Sequence, residues 1–152
     1  MTPQRLSGRV LADRLAIVDR HLAEIRGLPL GNREAFFADG RNAAAAESFL
    51  RRSLEALFDT GRHILSRAFG EGIGEYKEIA RKLGQTSVFV ESEAALLAVL
   101  AGYRNRLVHF YHEISRTELF EICSGRLGDL EAIRGAFQRW IEKNPDKIDR
   151  NL

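Results

Sequence analysis

Apolar residues in this chain recur at intervals of four and three, the spacing of one face of an α-helix. Leu11, Leu15, Val18, Leu22 and Ile25 mark one such face. Leu50, Leu54, Leu57 and Ile64 mark a second, and Leu96, Leu100, Tyr103, Leu107, Phe110 and Ile114 a third. No run alternates apolar and polar residues between turn signals in the manner of strands. A chain patterned in this way buries its apolar surface by packing helix against helix. The expected fold is therefore all-α, an up-and-down bundle of about five helices. At 152 residues and 45% hydrophobic content, it can build one core without covalent staples. The lone Cys123 excludes an internal disulfide framework and any CxxC site.

Punctuation sets the boundaries. Gly27 and Pro29 stop the first helix. Asn32 is placed to cap a short turn through Phe36 and Phe37, which Asp39-Gly40 ends. The alanines from 43 to 46 favour a long helix that the glycines at 70, 72 and 74 terminate. A short helix is expected over 75–83 and an extended connector over 85–90, after which Ser92 caps the next helix. Ser115-Arg116-Thr117-Glu118 reads as a capping box opening a last helix through Leu119, Ile122, Leu130, Ile133, Phe137 and Ile141. Gly125 and Gly128 dent that helix, and Pro145 ends it. This makes one domain over 1–144 and a polar tail over 145–152 that is expected to fray.

Charge narrows the partners only a little. Four lysines and nineteen arginines face 21 acids, for a net charge of +2. Arginine's planar fork suits phosphate, but this balance does not announce a nucleic-acid coat, so any such contact must come from a local patch. No apolar run approaches the roughly 18 residues of a membrane span. The N-terminal residues lack the apolar stretch of a signal peptide. A cytoplasmic protein with no membrane partner is expected.

Much familiar chemistry is missing. The chain holds neither a GxxxxGK[ST] loop nor a GxGxxG turn. A nucleotidyltransferase would show a Gly-Ser turn and paired aspartates, and both are absent. His21, His63, His109 and His112 give no reliable ligand spacing. His109 and His112 are three apart and can share a face, but with no third ligand nearby a metal site is the lesser reading, so no metal and no cofactor are expected.

The informative segment is Gly102-Tyr103-Arg104-Asn105-Arg106-Leu107-Val108-His109-Phe110-Tyr111-His112-Glu113-Ile114, with no acid before Glu113. On an ideal helix Arg104, Val108 and Tyr111 share a face, and Asn105 and His109 are neighbours on the next. Arg104 and His109 lie roughly 140° apart around the axis. A kink near Gly102, or a second chain, would bring them together.

Arg104-Asn105-x-x-x-His109-x-Tyr111 resembles the Arg-x4-His-x-Tyr signature of HEPN-fold ribonuclease toxins, the HepT-like family. The likeness extends from about Leu11 to Phe137: the stretch 44–69 is similar to the family's long second helix and 102–119 to its motif helix. The resemblance implies a helical homodimer whose motifs meet in a cleft. It implies a metal-independent endoribonuclease that acts on mRNA or tRNA, with a minimal nucleotidyltransferase (MNT) antitoxin as partner. It further implies that this antitoxin silences the toxin by transferring AMP to the motif tyrosine, here Tyr111. A different class of function stands beside this one: a non-catalytic HEPN helical module that binds a nucleotidyltransferase.

The residue types fit metal-free RNA cleavage. His109 suits acid–base work, because imidazole titrates near neutrality. Arg104 suits stabilisation of the charged transition state, and Asn105 can orient His109 or bind a phosphate oxygen. One imidazole cannot readily be both base and acid in a single turnover; two copies across an interface can. Bland roles stand beside these. Arg104 can simply pair with an acid such as Asp59, and Tyr111 can be half-buried core. Arg106 and His112 can be solvated face, although Arg106 also suits phosphate contact. Asp59, Arg62 and His63 share one exposed turn of the long helix, either supporting the cleft or forming a surface ion-pair cluster. His21 and Cys123 point only to packing or surface, and Trp140 to an anchor for the last helix.

Overall fold

The computed structural model describes residues 4–108 and 114–152. In chain order they form β1 (Leu6–Ser7), α1 (Gly8–Arg26), α2 (Arg33–Ala38), α3 (Gly40–Phe69), α4 (Tyr76–Gln85), α5 (Glu91–Val108), α6 (Arg116–Gly125), α7 (Leu127–Lys143), a 3-10 turn (Pro145–Lys147) and β2 (Ile148–Asp149). The all-α expectation holds, with seven α-helices among the described residues instead of about five. The difference arises at two places. The turn that Asn32 caps is a helix of its own, with Asn32 Oδ1 accepting from the Ala35 N–H at 3.1 Å. The expected last helix divides at Arg126, where φ is −122° and ψ is 3°, so Gly125 ends one helix rather than denting a longer one.

α3 is the spine. Leu50, Leu54, Leu57, Phe58, Ile64 and Leu65 are fully buried along it. α1 lies against it through Leu11, Leu15, Val18, Leu22 and Ile25, the face its spacing marked. From the other side α7 delivers Leu130, Ile133 and Phe137, and the Phe137 ring meets Phe89 at 4.8 Å between centroids. Each such side chain contributes about 1.5–3 kcal/mol by leaving water. The two polar residues buried in α3 satisfy themselves: the Ser53 and Thr60 hydroxyls each donate to the carbonyl four residues back, at 2.8 Å. Gly70 ends the helix at φ 66°, a left-handed position that glycine occupies without strain.

Four local expectations are corrected. The 85–90 connector is a tight turn rather than an extended segment. Ser87 sits at φ 61° and the Phe89 N–H returns to the Leu83 carbonyl at 3.0 Å, because Val88 and Phe89 are drawn into the core. Ser92 lies inside α5, whose start is held by Glu93 Oε1 accepting from the Val90 N–H at 3.0 Å. Ser115 does cap α6, its hydroxyl accepting from the Glu118 N–H at 3.1 Å, but the Glu118 carboxylate accepts from Arg106. The tail does not simply fray: Ile148 is 9% exposed, and β2 pairs in parallel with β1, Leu6 opposite Ile148 and Ser7 opposite Asp149.

α5 departs from a simple amphipathic helix. Its buried residues are Leu97, Leu100 and Ala101, while Leu96, Tyr103 and Leu107 from the expected stripe are only half buried. The outer side carries Val99, 50% exposed, with Ala95 and Gly102 a turn away. The helix is apolar on more than one face, so spacing alone could not choose the face that meets the core. It is one continuous helix through Gly102 to Val108, and Ile114, the last member of the expected stripe, is outside any helix.

Two substitutions test this packing by urea unfolding. A side chain at Gly61 would press on Leu83 at 3.0 Å and Ile79 at 3.1 Å, so Gly61→Val should lower stability by about 1–3 kcal/mol. Ser87→Gly relieves the left-handed backbone and should raise stability by about 1 kcal/mol.

Candidate active site

Most of the charged residues of α3 are gathered into one seam. Arg51, Arg52, Glu55, Asp59, Arg62, His63 and Ser66 recur at three- and four-residue spacing along a helix otherwise committed to the core. The Arg62 Nη1–H donates to Asp59 Oδ1 at 3.0 Å, and the same guanidinium donates to the Ile73 and Gly74 carbonyls at 3.2 and 3.3 Å. It thereby pins the loop that leads into α4. His63 Nε2 accepts from the Ser7 N–H at 3.1 Å, while the Ser7 hydroxyl caps α1 by accepting from the Val10 N–H. Asp59, Arg62 and His63 are half buried and engaged with other elements. This differs from the freely exposed turn expected from sequence.

α5 brings its own cations to this seam. Arg104 pairs with Glu55 at 3.6 Å, not with Asp59, and its side chain is 20% exposed. Its guanidinium lies over the Tyr76 ring, 4.2 Å from the centroid, a cation–π contact at close range. Tyr76 in turn packs on Phe58 at 4.7 Å and takes Arg62 at 5.6 Å. Among the described residues, the Arg104 Nε–H is buried without a hydrogen-bond partner. Arg106 makes a two-oxygen contact with Glu118 at 2.7 and 2.8 Å and lies near the Tyr103 ring. The stretch is free of acids in sequence, but folding supplies one to each arginine.

Asn105 is half buried on α5, beside these two arginines. His109, Tyr111 and His112 lie outside the described residues. Glu55, Tyr76 and Glu118 were missed by sequence reasoning. The polar spacing within α3 could have singled out Glu55; Tyr76 and Glu118 carry no local signal, because only tertiary packing brings them to Arg104 and Arg106. Among the described residues, no three metal-ligating side chains converge.

Two imidazoles of the fold are held below their ordinary titration range. Burial does this to His63, with Arg67 and Arg14 adding to it. Burial also does it to His21, opposed by Glu24. His21 is 5% exposed and stacked on Phe49, so of the two readings open to it packing holds. Burial pushes the Cys123 thiol up to about 12, which makes it an inert core residue.

Comparison with known proteins places the chain among relatives. A family model described as Ribonuclease HepT-like matches residues 18–136. The tRNA nuclease HepT of Aphanizomenon flos-aquae is 24% identical over 115 residues, 76% of this chain and 78% of the relative. Among solved structures, the tri-AMPylated HEPN toxin of Shewanella oneidensis, in complex with its MNT antitoxin, superposes with a TM-score of 0.76 at 20% identity. That match covers 86% of this chain and 97% of the other. YutE of Bacillus subtilis, a cytosolic protein of unknown function, gives 0.73 at 19% identity over 96% and 99% of the two chains. At these identities the solved structures establish a shared fold.

The His63 contact sets a pH dependence. Its folded pKa is depressed, so the unfolded chain takes up the proton first. Stability should be full above about pH 6.5 and fall as pH drops through the folded value. The arginine-paired carboxylates Asp39 and Glu78 are held below ordinary values of 3.8 and 4.5, so they leave the window between about 5 and 7 to the imidazoles. Urea unfolding should show declining stability across that window, and His63→Gln, which keeps an acceptor for Ser7, should flatten the decline.

Proposed function

Because the chain belongs to the Ribonuclease HepT-like family, we propose that it is a metal-independent endoribonuclease. In this reading it is the toxin of a type VII-like HEPN/MNT pair, and Arg104, Asn105 and His109 carry the chemistry. The observation that carries the reading is the hold on Arg104. An arginine that is four-fifths buried is held between an aromatic face and a carboxylate, with Nε unpartnered among the described residues. Such a group is oriented in advance to receive a phosphate with little rotamer freedom left to lose.

The reaction needs only protein groups. His109 of one protomer takes the proton of a ribose 2′-hydroxyl. The 2′-oxygen attacks the adjacent phosphorus, and the 5′-oxygen departs with a proton from the partner subunit's His109. The products are a 2′,3′-cyclic phosphate and a 5′-hydroxyl. Arg104 stabilises the extra negative charge on the phosphorus oxygens through paired donors, and Asn105 orients His109 or takes a phosphate oxygen. A dimer is supported by two features. α5 is one continuous helix through Gly102 to Val108, and on an ideal helix positions five apart, as Arg104 and His109 are in sequence, lie roughly 140° apart. It also leaves Val99 50% exposed, with Ala95 and Gly102 a turn away on the same side. The substrate is mRNA or tRNA. The partner is an MNT-type nucleotidyltransferase that joins the Tyr111 oxygen to the α-phosphorus of ATP and releases pyrophosphate.

A second reading has one observation in its favour: Arg104 and Arg106 are both tied to carboxylates, as structural arginines are. On that reading the chain is a non-catalytic HEPN module that binds a nucleotidyltransferase. Cleavage assays separate the two. Arg104→Ala and His109→Ala should each lower the rate of RNA cleavage by about 10²–10⁴ with an unchanged circular dichroism spectrum; a His109→Ala preparation that still cuts RNA refutes the nuclease assignment. Tyr111→Phe should keep most cleavage activity and gain no AMP by intact mass after incubation with ATP and the nucleotidyltransferase. Modification at another tyrosine would contradict the role given to Tyr111.

A further inference from the structure

The seam of α3 does not stop at Arg104. On the far side of Glu55 a recess of about 270 Å³ runs between α1 and α3, with Arg14, Arg20 and His21 on one wall and Arg52, Glu55 and Asp59 on the other. It shares Arg14 and Asp59 with a second recess that reaches His63 and Ser66. From Arg52 to Ser66 the α3 backbone rises roughly 20 Å, room for a short stretch of extended polynucleotide.

The two acids of this groove are already matched by cations outside its first recess. Glu55 is met by Arg51 at 3.5 Å and Arg104 at 3.6 Å, and Asp59 by Arg62 at 3.0 Å. That leaves Arg14, Arg20 and Arg52 with little compensation. Arg14 reaches Asp59 only at 3.9 Å and Arg20 reaches Glu24 only at 3.8 Å. Among the described residues no carboxylate lies within ion-pair distance of the exposed Arg52. Arginines that tie helices together here do so more closely, as Arg134 does with Asp19 at 2.9 and 3.0 Å. At the floor sits His21, 5% exposed, its Nδ1 without a hydrogen-bond partner among the described residues and 3.7 Å from Glu24 Oε1.

We propose that the α1–α3 groove is a binding track for the phosphodiester backbone of RNA, continuing the site at Arg104. Arg14, Arg20 and Arg52 grip successive phosphates, and His21 is the floor of the track. Glu55 is the joint between track and cleavage site, because it lines the groove while holding Arg104. This rests on the nuclease reading for its choice of RNA. Forks of donors without tight partners suit phosphate oxygens, and such binding carries no base information.

The test measures binding of a labelled, uncleavable 2′-O-methyl RNA oligonucleotide by anisotropy over a salt series, with cleavage of unmodified RNA alongside. Arg14→Ala and Arg52→Ala should each weaken binding about 3- to 10-fold, and each should shallow the salt slope by about 0.7 for every phosphate the variant no longer grips. On cleavable RNA, KM should rise with kcat unchanged. Arg14→Lys and Arg52→Lys should keep the slope and lose part of the affinity. Arg150→Ala, which lines a different recess between α1 and α7, should change nothing. Equal affinities and slopes in wild type, Arg14→Ala and Arg52→Ala, or an equal weakening in Arg150→Ala, overturn the track. So does a poly-glutamate peptide binding in an Arg14- and Arg52-dependent way where RNA does not bind. If the oligonucleotide binds through Arg14 and Arg52 but unmodified RNA is never cut, the track stands and the nuclease reading fails.

Discussion

A helix surrounded by neighbours has few directions in which to put a charge, and α3 has almost none. Helix α1 covers one side of it, and α4, α5, α6 and α7 share most of the rest. Its 30 residues include Ser53 and Thr60 only because their hydroxyls bond back to the helix itself. Most of its ionised groups leave along one seam. The consequence is a dense row of partners: Arg62 for the loop before α4, His63 for Ser7 at the start of α1, Glu55 for Arg104 on α5. The hydrophobic burial that builds the bundle is what forces its charged chemistry together.

Distance separates two kinds of arginine in the molecule. Arg106 with Glu118 and Arg134 with Asp19 make hydrogen bonds near 3 Å that fix helices to one another, and Arg62 fixes the loop before α4 through the Ile73 and Gly74 carbonyls. Arg104, Arg14 and Arg20 face their carboxylates at 3.6–3.9 Å. An ion pair of that length at a partly exposed site contributes little to stability, and it is readily exchanged for an incoming phosphate. In the proposed exchange Tyr76 would keep Arg104 oriented, since a ring face holds the guanidinium without using its donors.

The elements that depend on local signals were legible in the sequence. The α1 stripe, the Asn32 and Ser115 caps and the glycine stop at Gly70 all rest on interactions within a few residues. Interactions across the fold were not. Glu118 abandons the second half of its capping box because Arg106 approaches from another helix. Ser87 takes a left-handed backbone because Val88 and Phe89 are pulled inward. The polar tail is caught by a two-residue pairing too short to leave a pattern. At the candidate site, the motif arginines stood out by their density, but their partners Glu55 and Tyr76 lie 49 and 28 positions away from Arg104, and only packing selects them.

The roughly 140° between positions five apart on an ideal helix, the continuous course of α5 through Gly102 and the exposed Val99 side of that helix support the proposal of chemistry shared between two chains. The proposed chemistry uses the ribose 2′-hydroxyl and two imidazoles, and it would leave a signature on the RNA. End-group analysis of RNA cut by the purified protein in excess chelator tests this most directly. The account predicts undiminished cleavage with 2′,3′-cyclic phosphate and 5′-hydroxyl ends. Products bearing 3′-hydroxyl and 5′-phosphate ends, or cleavage abolished by the chelator and restored by a divalent cation, would contradict it.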